Sequence, residues 1–254
     1  MKVLVCIKSV PAVAGRITLT ADARAIDTRH LGFAIGPHEE CAVEQAVRIV
    51  EAGGGEAVVL TLGPAQALEQ LRDALALGIA RAIHLVTEGE EWDPESTTAA
   101  LVDAIRLDEA ASGPFDLVLL GNEAGDSADY QVAVRLGRAL GRPAVTAIKG
   151  MTIGEGTVRC EQEVDAGRDV YELRLPAIAA VLEGINLPRF PSVPGRLRAK
   201  NKPVEVSQPA RPAQRLEMLR LVVPQGPAKQ AEVLGRGAEA APAVVAVLQE
   251  LGVI

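Results

Sequence analysis

The chain has 254 residues and a formal net charge of −7, from 26 basic and 33 acidic side chains. An acidic chain lacks the basic surface that nucleic-acid phosphates require, so we expect no nucleic-acid partner. Only six residues are aromatic, which predicts an aliphatic core and excludes platforms of stacked rings for bases or sugars. Three well-separated cysteines, Cys6, Cys41 and Cys160, offer no metal-ligand spacing and predict a reducing, cytoplasmic location.

Apolar runs recur through the first 150 residues. They cover 3–7, 57–62, 82–86, 116–120 and 144–148. Because these runs do not alternate with polar residues, they suit parallel strands that are covered on both faces. None approaches the roughly 18 residues of a membrane span, so we expect a soluble protein without membrane insertion.

Helical patterns alternate with these strands. They cover 37–52, a stretch with Leu68, Leu71 and Leu75 that Gly78 ends, 94–111 and 128–140. Gly36 and Pro37 suit the cap and first turn of the first helix, and glycines 53–55 end it. The alternation predicts a doubly wound, mostly parallel α/β sheet of the Rossmann-like, adenine-nucleotide-binding kind.

Two features interrupt this alternation. Residues 17–35 predict a hairpin-like insertion, and the segments 157–164, 171–175 and 178–182 predict antiparallel strands that extend the sheet. Four prolines within 186–203 predict a long loop without a helix, which holds five basic residues and no acidic one. Beyond it, 216–223 predicts a strand and 242–251 an amphipathic helix. The expected divisions are therefore an α/β domain at 1–185, the loop at 186–203 and a C-terminal arm at 204–254.

Catalytic and metal-binding motifs are missing from the sequence. There is no Ser-His-Asp spacing, no paired carboxylate motif and no ligand cluster. Neither a P-loop nor a GxGxxG fingerprint follows the first strand, where Lys8 to Ala12 lie instead. We therefore predict no catalytic residues and no metal site.

The loop that leaves the fourth strand at Gly121 is the first candidate for binding. It carries Asp126, Ser127 and Asp129 and leads into a predicted helix whose first amides belong to Gln131, Val132 and Ala133. A loop at the carboxyl end of a strand, with a helix N-terminus behind it, can hold a phosphate. The three polar side chains can equally serve only as helix caps. Spacing alone leaves both interpretations open.

Several segments, taken in order, resemble the beta subunit of electron-transfer flavoproteins. They are LVCIK at 4–8, GP at 36–37 with AVEQA at 42–46, LGPAQ at 62–66, ALALG at 74–78, DLVLLG at 116–121, LPA at 175–177, and NLPRF at 186–190 with RAK at 198–200. No single segment is decisive, but the ordered set spans essentially the whole chain.

The resemblance implies a subunit of a heterodimer that carries electrons and performs no substrate chemistry. Its FAD would be shared with, and held chiefly by, an alpha subunit, while the beta subunit buries an AMP. Electrons would come from a flavin dehydrogenase, such as an acyl-CoA dehydrogenase, and pass to a respiratory or quinone-linked acceptor. The alternatives are a bifurcating-type subunit with a second FAD in place of AMP, a stand-alone adenine-nucleotide-binding enzyme and a nucleotide-free scaffold.

The resemblance also assigns roles to residues. The nucleotide-site positions are Cys6, Gly36, Pro37, Leu62, Gly63, Gly121, Asp126, Ser127, Asp129, Gln131, Val132 and Ala133. The chain departs from the family pattern where Gly36 replaces a usual Asn and where Val132-Ala133 replaces a usual Thr-Gly. Asp129 adds a negative charge that opposes phosphate binding unless it faces a ribose or solvent. AMP and a second FAD therefore both remain open.

The basic segment at 186–203 corresponds to the family's recognition loop. Val193 matches the aliphatic residue that enters a pocket on the dehydrogenase, and Arg196, Arg198, Lys200 and Lys202 would steer acidic partners. Without the resemblance, the same segment is simply a solvated basic loop. Glu163 matches a position that contacts the mobile flavin domain, and the C-terminal arm is expected to pack on the alpha subunit.

Overall fold

Buried apolar runs form the strands of a mixed sheet in the computed structural model, which describes residues 1–12, 17–89, 91–127, 129–223 and 233–254. The strands are β1 (Lys2–Ile7), β2 (Ser9–Pro11), β3 (Phe33–Ile35), β4 (Glu56–Gly63), β5 (Arg81–Val86), β6 (Leu117–Gly121), β7 (Ala144–Ile153), β8 (Thr157–Val164), β9 (Gly167–Arg174), β10 (Ala177–Val181) and β11 (Val204–Ser207). The helices are α1 (Pro37–Gly53), α2 (Leu68–Ala76), α3 (Pro94–Ser112), α4 (Val132–Leu140), α5 (Val193–Ala199) and α6 (Ala241–Glu250).

Within the described residues, nine strands form one sheet in the order β11-β5-β4-β1-β6-β10-β7-β8-β9. Every neighbouring pair from β11 to β7 is parallel, and β7, β8 and β9 pair antiparallel. Alternate residues of β1 enter two different cores. Val3 and Val5 pack with α1 and α2, whereas Leu4 and Cys6 pack with α3 and α4. The predicted doubly wound α/β fold with an antiparallel extension is confirmed.

The prediction for 178–182 is wrong in one respect. This segment forms β10, which lies between β6 and β7 and is parallel to both rather than an antiparallel extension. All five residues of β10 are buried, because a strand in the middle of a doubly covered sheet has no solvent-facing side. Its uninterrupted apolar run is the signal that distinguishes it from β8 and β9.

The insertion between β1 and α1 is hairpin-like, as predicted. An antiparallel bridge joins Leu19 to Ile26, and β2 pairs antiparallel with β3. The 17–35 segment therefore leaves and rejoins the domain beside the end of β1.

The prediction that prolines forbid a helix in 186–203 is wrong. Residues Val193–Ala199 form α5, whose N-cap is Ser192 and whose Pro194 lies in the first turn. Proline is tolerated there because first-turn amides have no intrahelical acceptor. The following strand, β11, joins the sheet beside β5, and the strand predicted at 216–223 is not formed.

The chain divides into two compact units, Met1–Leu219 and Arg220–Ile254. The second contains a short 3₁₀ turn, Gly237–Ala240, that continues into α6, which confirms the helix predicted near 242–251. No helix among the described residues is long and apolar enough to cross a membrane.

Candidate functional site

The carboxyl ends of β4, β1 and β6 lie side by side at one edge of the sheet. Cys6 of β1 is opposite Leu60 of β4 and Leu120 of β6, so the sequence-predicted positions Leu62, Gly63 and Gly121 extend just beyond it. From β1, the sheet extends to one side through β4 and β5 and to the other side through β6, β10 and β7. The gap between β1 and β6 is therefore a topological switch point, where ligands bind in open α/β sheets.

The start of α1 covers this gap. Gly36 is the N-cap of α1 and Pro37 follows in its first turn. A Cβ placed on Gly36 would lie 2.4 Å from Oε2 of Glu39, and one on Gly121 would lie 2.7 Å from the Glu39 carboxyl carbon. A side chain at either predicted position would therefore displace the Glu39 carboxyl, which occupies the space between them.

Glu39 is a functional candidate that the sequence did not reveal. Its side chain is 5% exposed, and its buried Oε2 finds no hydrogen-bond partner within the described residues. Burial raises the pKa of Glu39 to about 7, an effect that Lys8 opposes and that the nearby Asp126 and Glu40 carboxylates strengthen. A carboxyl that exchanges its proton near neutral pH therefore lies at the switch point.

Lys8, which directly follows β1, organises the loop after β6. Its Nζ donates to Oδ1 of Asp126 at 2.7 Å and to Oγ of Ser127 at 3.2 Å, and it also forms an ion pair with Glu91. Burial lowers the pKa of Lys8, but Glu91 and Asp126 outweigh it, so the net pKa lies above the ordinary value. Lys8 therefore stays charged and is compensated by two carboxylates.

The polar residues of this loop do not cap α4, which excludes that interpretation. The N-cap is Gln131, with no side-chain cap bond, and α4 begins at Val132 rather than at Ala128, which lies outside the described residues. Ser127 donates to Oδ2 of Asp129 at 3.0 Å, and its amide donates to Asp126. The first intrahelical bond runs from the Arg135 amide to the Gln131 carbonyl. The amides of Val132 and Ala133 therefore precede it, as a phosphate site requires.

Cys6 contributes shape rather than reactivity. It is 7% exposed and packs in the core cluster beneath α3 and α4. Burial raises the pKa of its thiol to about 12, so the thiolate that nucleophilic chemistry needs is not available at neutral pH.

A second candidate surface is built around α5. Val193 is 73% exposed at the first turn of this helix and Leu197 is 58% exposed; a spacing of four residues places both on one face. Gly195 faces the opposite way, where a Cβ would lie 2.5 Å from the Ala76 carbonyl oxygen at the end of α2. The missing side chain thus lets α5 lie directly against α2.

Hydrogen bonds fix both helix ends at this contact. Arg72 of α2 donates from Nη1 to the carbonyls of Ala199 at 2.6 Å and of Lys202 at 2.7 Å. Lys202 in return donates from Nζ to the carbonyls of Leu75 and Ile79. Lys202 therefore caps the end of α2, a structural role that the sequence does not predict for it.

The other basic residues differ in what they can offer a partner. Arg189 binds Glu44 at 2.9 Å and Glu51 at 2.7 Å, which anchors the segment to α1. Arg196 pairs with exposed Asp73 at 2.9 Å. Arg198 and Lys200 are exposed, and no ion pair forms at either one with any described residue. These last two residues therefore expose their charges to solvent.

Glu163 lies on β8, opposite Arg168 of β9. Its carboxylate pairs with Lys149 of β7 at 3.0 Å, and its side chain is about half exposed. It lies in the antiparallel extension and not at the switch point.

Comparison with known proteins agrees with this architecture. Residues 24–212 match the family model described as an electron transfer flavoprotein domain. The chain belongs to the family of electron transfer flavoprotein beta subunits. An electron transfer flavoprotein subunit beta from Syntrophomonas wolfei is 34% identical over 192 residues, which is 75% of this chain and 73% of the relative. The subunit beta from Mycobacterium bovis is 36% identical over 195 residues, which is 74% of this chain and 72% of the relative. The mitochondrial subunit beta from Oryza sativa subsp. indica is 32% identical over 193 residues, which is 75% of this chain and 75% of the relative.

For this family member, the structure brings the sequence-predicted nucleotide positions to one edge of the sheet and the recognition positions to α5. The sequence alone did not single out Glu39, Lys8, Glu91 or Arg72. A charged residue directly after a buried strand is a usable signal for Lys8. Glu91 and Arg72 act through contacts distant in sequence, for which the sequence carries no local signal.

Proposed function

We propose that this chain is the beta subunit of a heterodimeric electron carrier that accepts electrons from a flavin dehydrogenase and delivers them to a respiratory or quinone-linked acceptor. The FAD shared with the alpha subunit supplies the redox chemistry. The chain performs no substrate chemistry itself. The observation that carries the proposal is α5, an outward-facing helix that is locked onto α2 and carries Val193 on its free side.

The switch-point edge fits an adenine nucleotide, and we propose AMP as its occupant. Cys6, Leu62 and Gly63 provide a small apolar floor at the ends of β1 and β4. Gly36 and Gly121 leave the space at that edge in which the Glu39 carboxyl lies. The Val132 and Ala133 amides at the start of α4 are donors suited to a phosphate, which Lys8 can join only in competition with the Glu91 and Asp126 carboxylates. A second FAD in place of AMP is the alternative.

Docking of the dehydrogenase is assigned to α5. A pre-ordered helix loses little conformational freedom on binding, so one aliphatic anchor suffices for a transient contact. Arg198 and Lys200 are exposed basic residues of the same segment, and they would attract an acidic partner, which raises the rate of encounter more than the affinity. Glu163 is proposed to face the mobile flavin domain, and the C-terminal arm is proposed to pack on the alpha subunit.

Val193→Asp tests the docking assignment. A charge at the anchor should lower the rate of electron transfer from the dehydrogenase at least about tenfold, because an ionised carboxylate does not enter an apolar pocket. Flavin content should not change. The matched control is Val206→Asp, since Val206 is also an exposed valine, at 63%, but lies on β11. Equal losses in both variants, or loss of FAD in the first, would show that α5 is not the docking element.

A further inference from the structure

Residues 208–219, which we call the C-terminal segment, are the part of the predicted C-terminal arm that directly follows β11. They form neither helix nor strand, but hydrogen bonds join them to the loop before α3. Arg211 donates to the Glu91 carbonyl at 2.9 Å, and Gln214 donates to the same oxygen at 3.3 Å. The Arg211 guanidinium also lies 5.8 Å from the centre of the Trp92 ring. The backbone position of Glu91 is therefore set by the C-terminal segment.

Asp93 strengthens this attachment. Its Oδ1 accepts from the Ser96 amide at 2.7 Å and caps α3, while its Oδ2 accepts from the amides of Arg215 at 2.9 Å and Leu216 at 3.0 Å. The carboxylate is 7% exposed. A buried carboxylate with three charge-assisted hydrogen bonds joins the two pieces of chain firmly.

The side chain of Glu91 reaches from this anchored loop into the candidate nucleotide site. It forms an ion pair with Lys8, whose Nζ also binds Asp126 at 2.7 Å. Asp129 lies next in the same network through Ser127. Lys8 therefore presents no net positive charge, and a phosphate that approaches it competes with carboxylates already in place.

We propose that Glu91 is a specificity-determining residue of the nucleotide site, and that the C-terminal segment holds its carboxylate against Lys8 to limit the negative charge of the ligand that the site accepts. Arg211 and Gln214 are positioning residues in this arrangement, because they act through Glu91. The inference rests on the proposed nucleotide site. It predicts selection between ligands of equal size and different charge, which a purely structural ion pair would not provide.

The test compares AMP, a dianion at pH 7.5, with adenosine 5′-sulfate, a monoanion of nearly the same shape. Both are titrated into the heterodimer after removal of bound nucleotide. In Glu91→Gln, the affinity for AMP should rise about fivefold relative to the affinity for the sulfate, because one competing charge is removed. The gain should shrink as salt is raised, since Glu91 is half exposed.

Glu88→Gln is the matched control, because Glu88 is an exposed carboxylate a few residues away and the change in net charge is the same. It should leave the AMP-to-sulfate ratio within about twofold of wild type. Arg211→Ala with Gln214→Ala should give a ratio between wild type and Glu91→Gln, because Asp93 still holds the segment.

An unchanged ratio in Glu91→Gln, with AMP still bound, would overturn the inference and leave the nucleotide site standing. Equal increases in Glu91→Gln and Glu88→Gln would also overturn it, because the effect would then reflect net charge alone. If neither adenosine compound binds wild type or any variant, the proposed nucleotide site is wrong and the inference falls with it.

Discussion

Replacing Glu39 by glutamine should stabilise the protein at alkaline pH. Burial raises the pKa of Glu39 from 4.5 in the unfolded chain to about 7 in the folded protein. The folded state therefore binds this proton more tightly, and the free energy of unfolding falls as pH rises from 4.5 through 7. Glutamine keeps the shape and polarity of the neutral acid but carries no charge, so the variant avoids this loss.

The magnitude follows from the same pKa values. At about 1.4 kcal/mol per tenfold change in proton affinity, the ionised carboxylate costs about 3 kcal/mol above pH 7. At pH 5.5 most of that cost is absent, so the stabilisation by Glu39→Gln should be about 2 kcal/mol larger at pH 8 than at pH 5.5. For a domain of this size, 3 kcal/mol corresponds to a rise in Tm of about 6–12 °C.

The assay is denaturant unfolding of wild type and Glu39→Gln at pH 5.5 and pH 8. Glu69→Gln is the control, because Glu69 is an exposed carboxylate in the first turn of α2 and its loss removes one charge from a comparable helical position. A stabilisation by Glu39→Gln that does not depend on pH, or a destabilisation at pH 8, would refute the claim that Oε2 of this carboxyl is buried without a partner.

Two further predictions concern the segment that carries α5. Arg189→Ala should lower the free energy of unfolding by about 2–3 kcal/mol, because Glu44, 1% exposed, loses the guanidinium and keeps only Arg48 and the backbone amide of residue 189 as partners. Arg196→Ala, at an exposed pair, should cost less than about 1 kcal/mol, and equal costs in denaturant unfolding would contradict the anchoring role. Gly195→Ala should cost about 1–3 kcal/mol, because its Cβ would lie 2.5 Å from the Ala76 carbonyl oxygen; an unchanged Tm would show that α5 does not lie against α2 as described.

The sequence predicted most of the sheet because burial on both faces leaves a direct trace in composition. The uninterrupted apolar runs at 3–7, 57–62 and 82–86 correspond to strands β1, β4 and β5. The rule that an uninterrupted apolar run indicates a doubly covered parallel strand also fits β10, since all its residues are apolar and buried. The position of β10 directly after β8 and β9 in the sequence favours an antiparallel strand instead, and that prediction is wrong.

The sequence-based prediction does not include the helix at 193–199, because it gives all four prolines of this segment the same effect. Pro194 follows the N-cap Ser192 and lies where the missing amide costs nothing, so position along the helix decides the effect of proline. The strand predicted at 216–223 failed for a different reason. Backbone amides of Arg215 and Leu216 bind the Asp93 side chain, and a side-chain acceptor 122 residues away along the chain has no signature in the local sequence.

The candidate site was predictable in its backbone positions and not in its electrostatics. Glycines at 36 and 121 and the loop beyond β6 could be assigned from the resemblance and from strand ends. The pairing of Lys8 with Glu91 and Asp126 spans 83 and 118 residues, and the burial of Glu39 depends on two glycines from separate elements. Such contacts arise only when the sheet assembles.

The most direct test of the central claim is the composition of the purified complex. The chain is co-expressed with a candidate alpha subunit, the complex is isolated, and ligands released by heat are identified and quantified by mass spectrometry. Our account predicts a heterodimer that holds a single FAD together with AMP. Two FAD molecules per heterodimer would favour the bifurcating-type alternative, in which a second FAD takes the place of AMP. A chain that purifies without an alpha subunit, contains no flavin and turns over ATP would contradict the account.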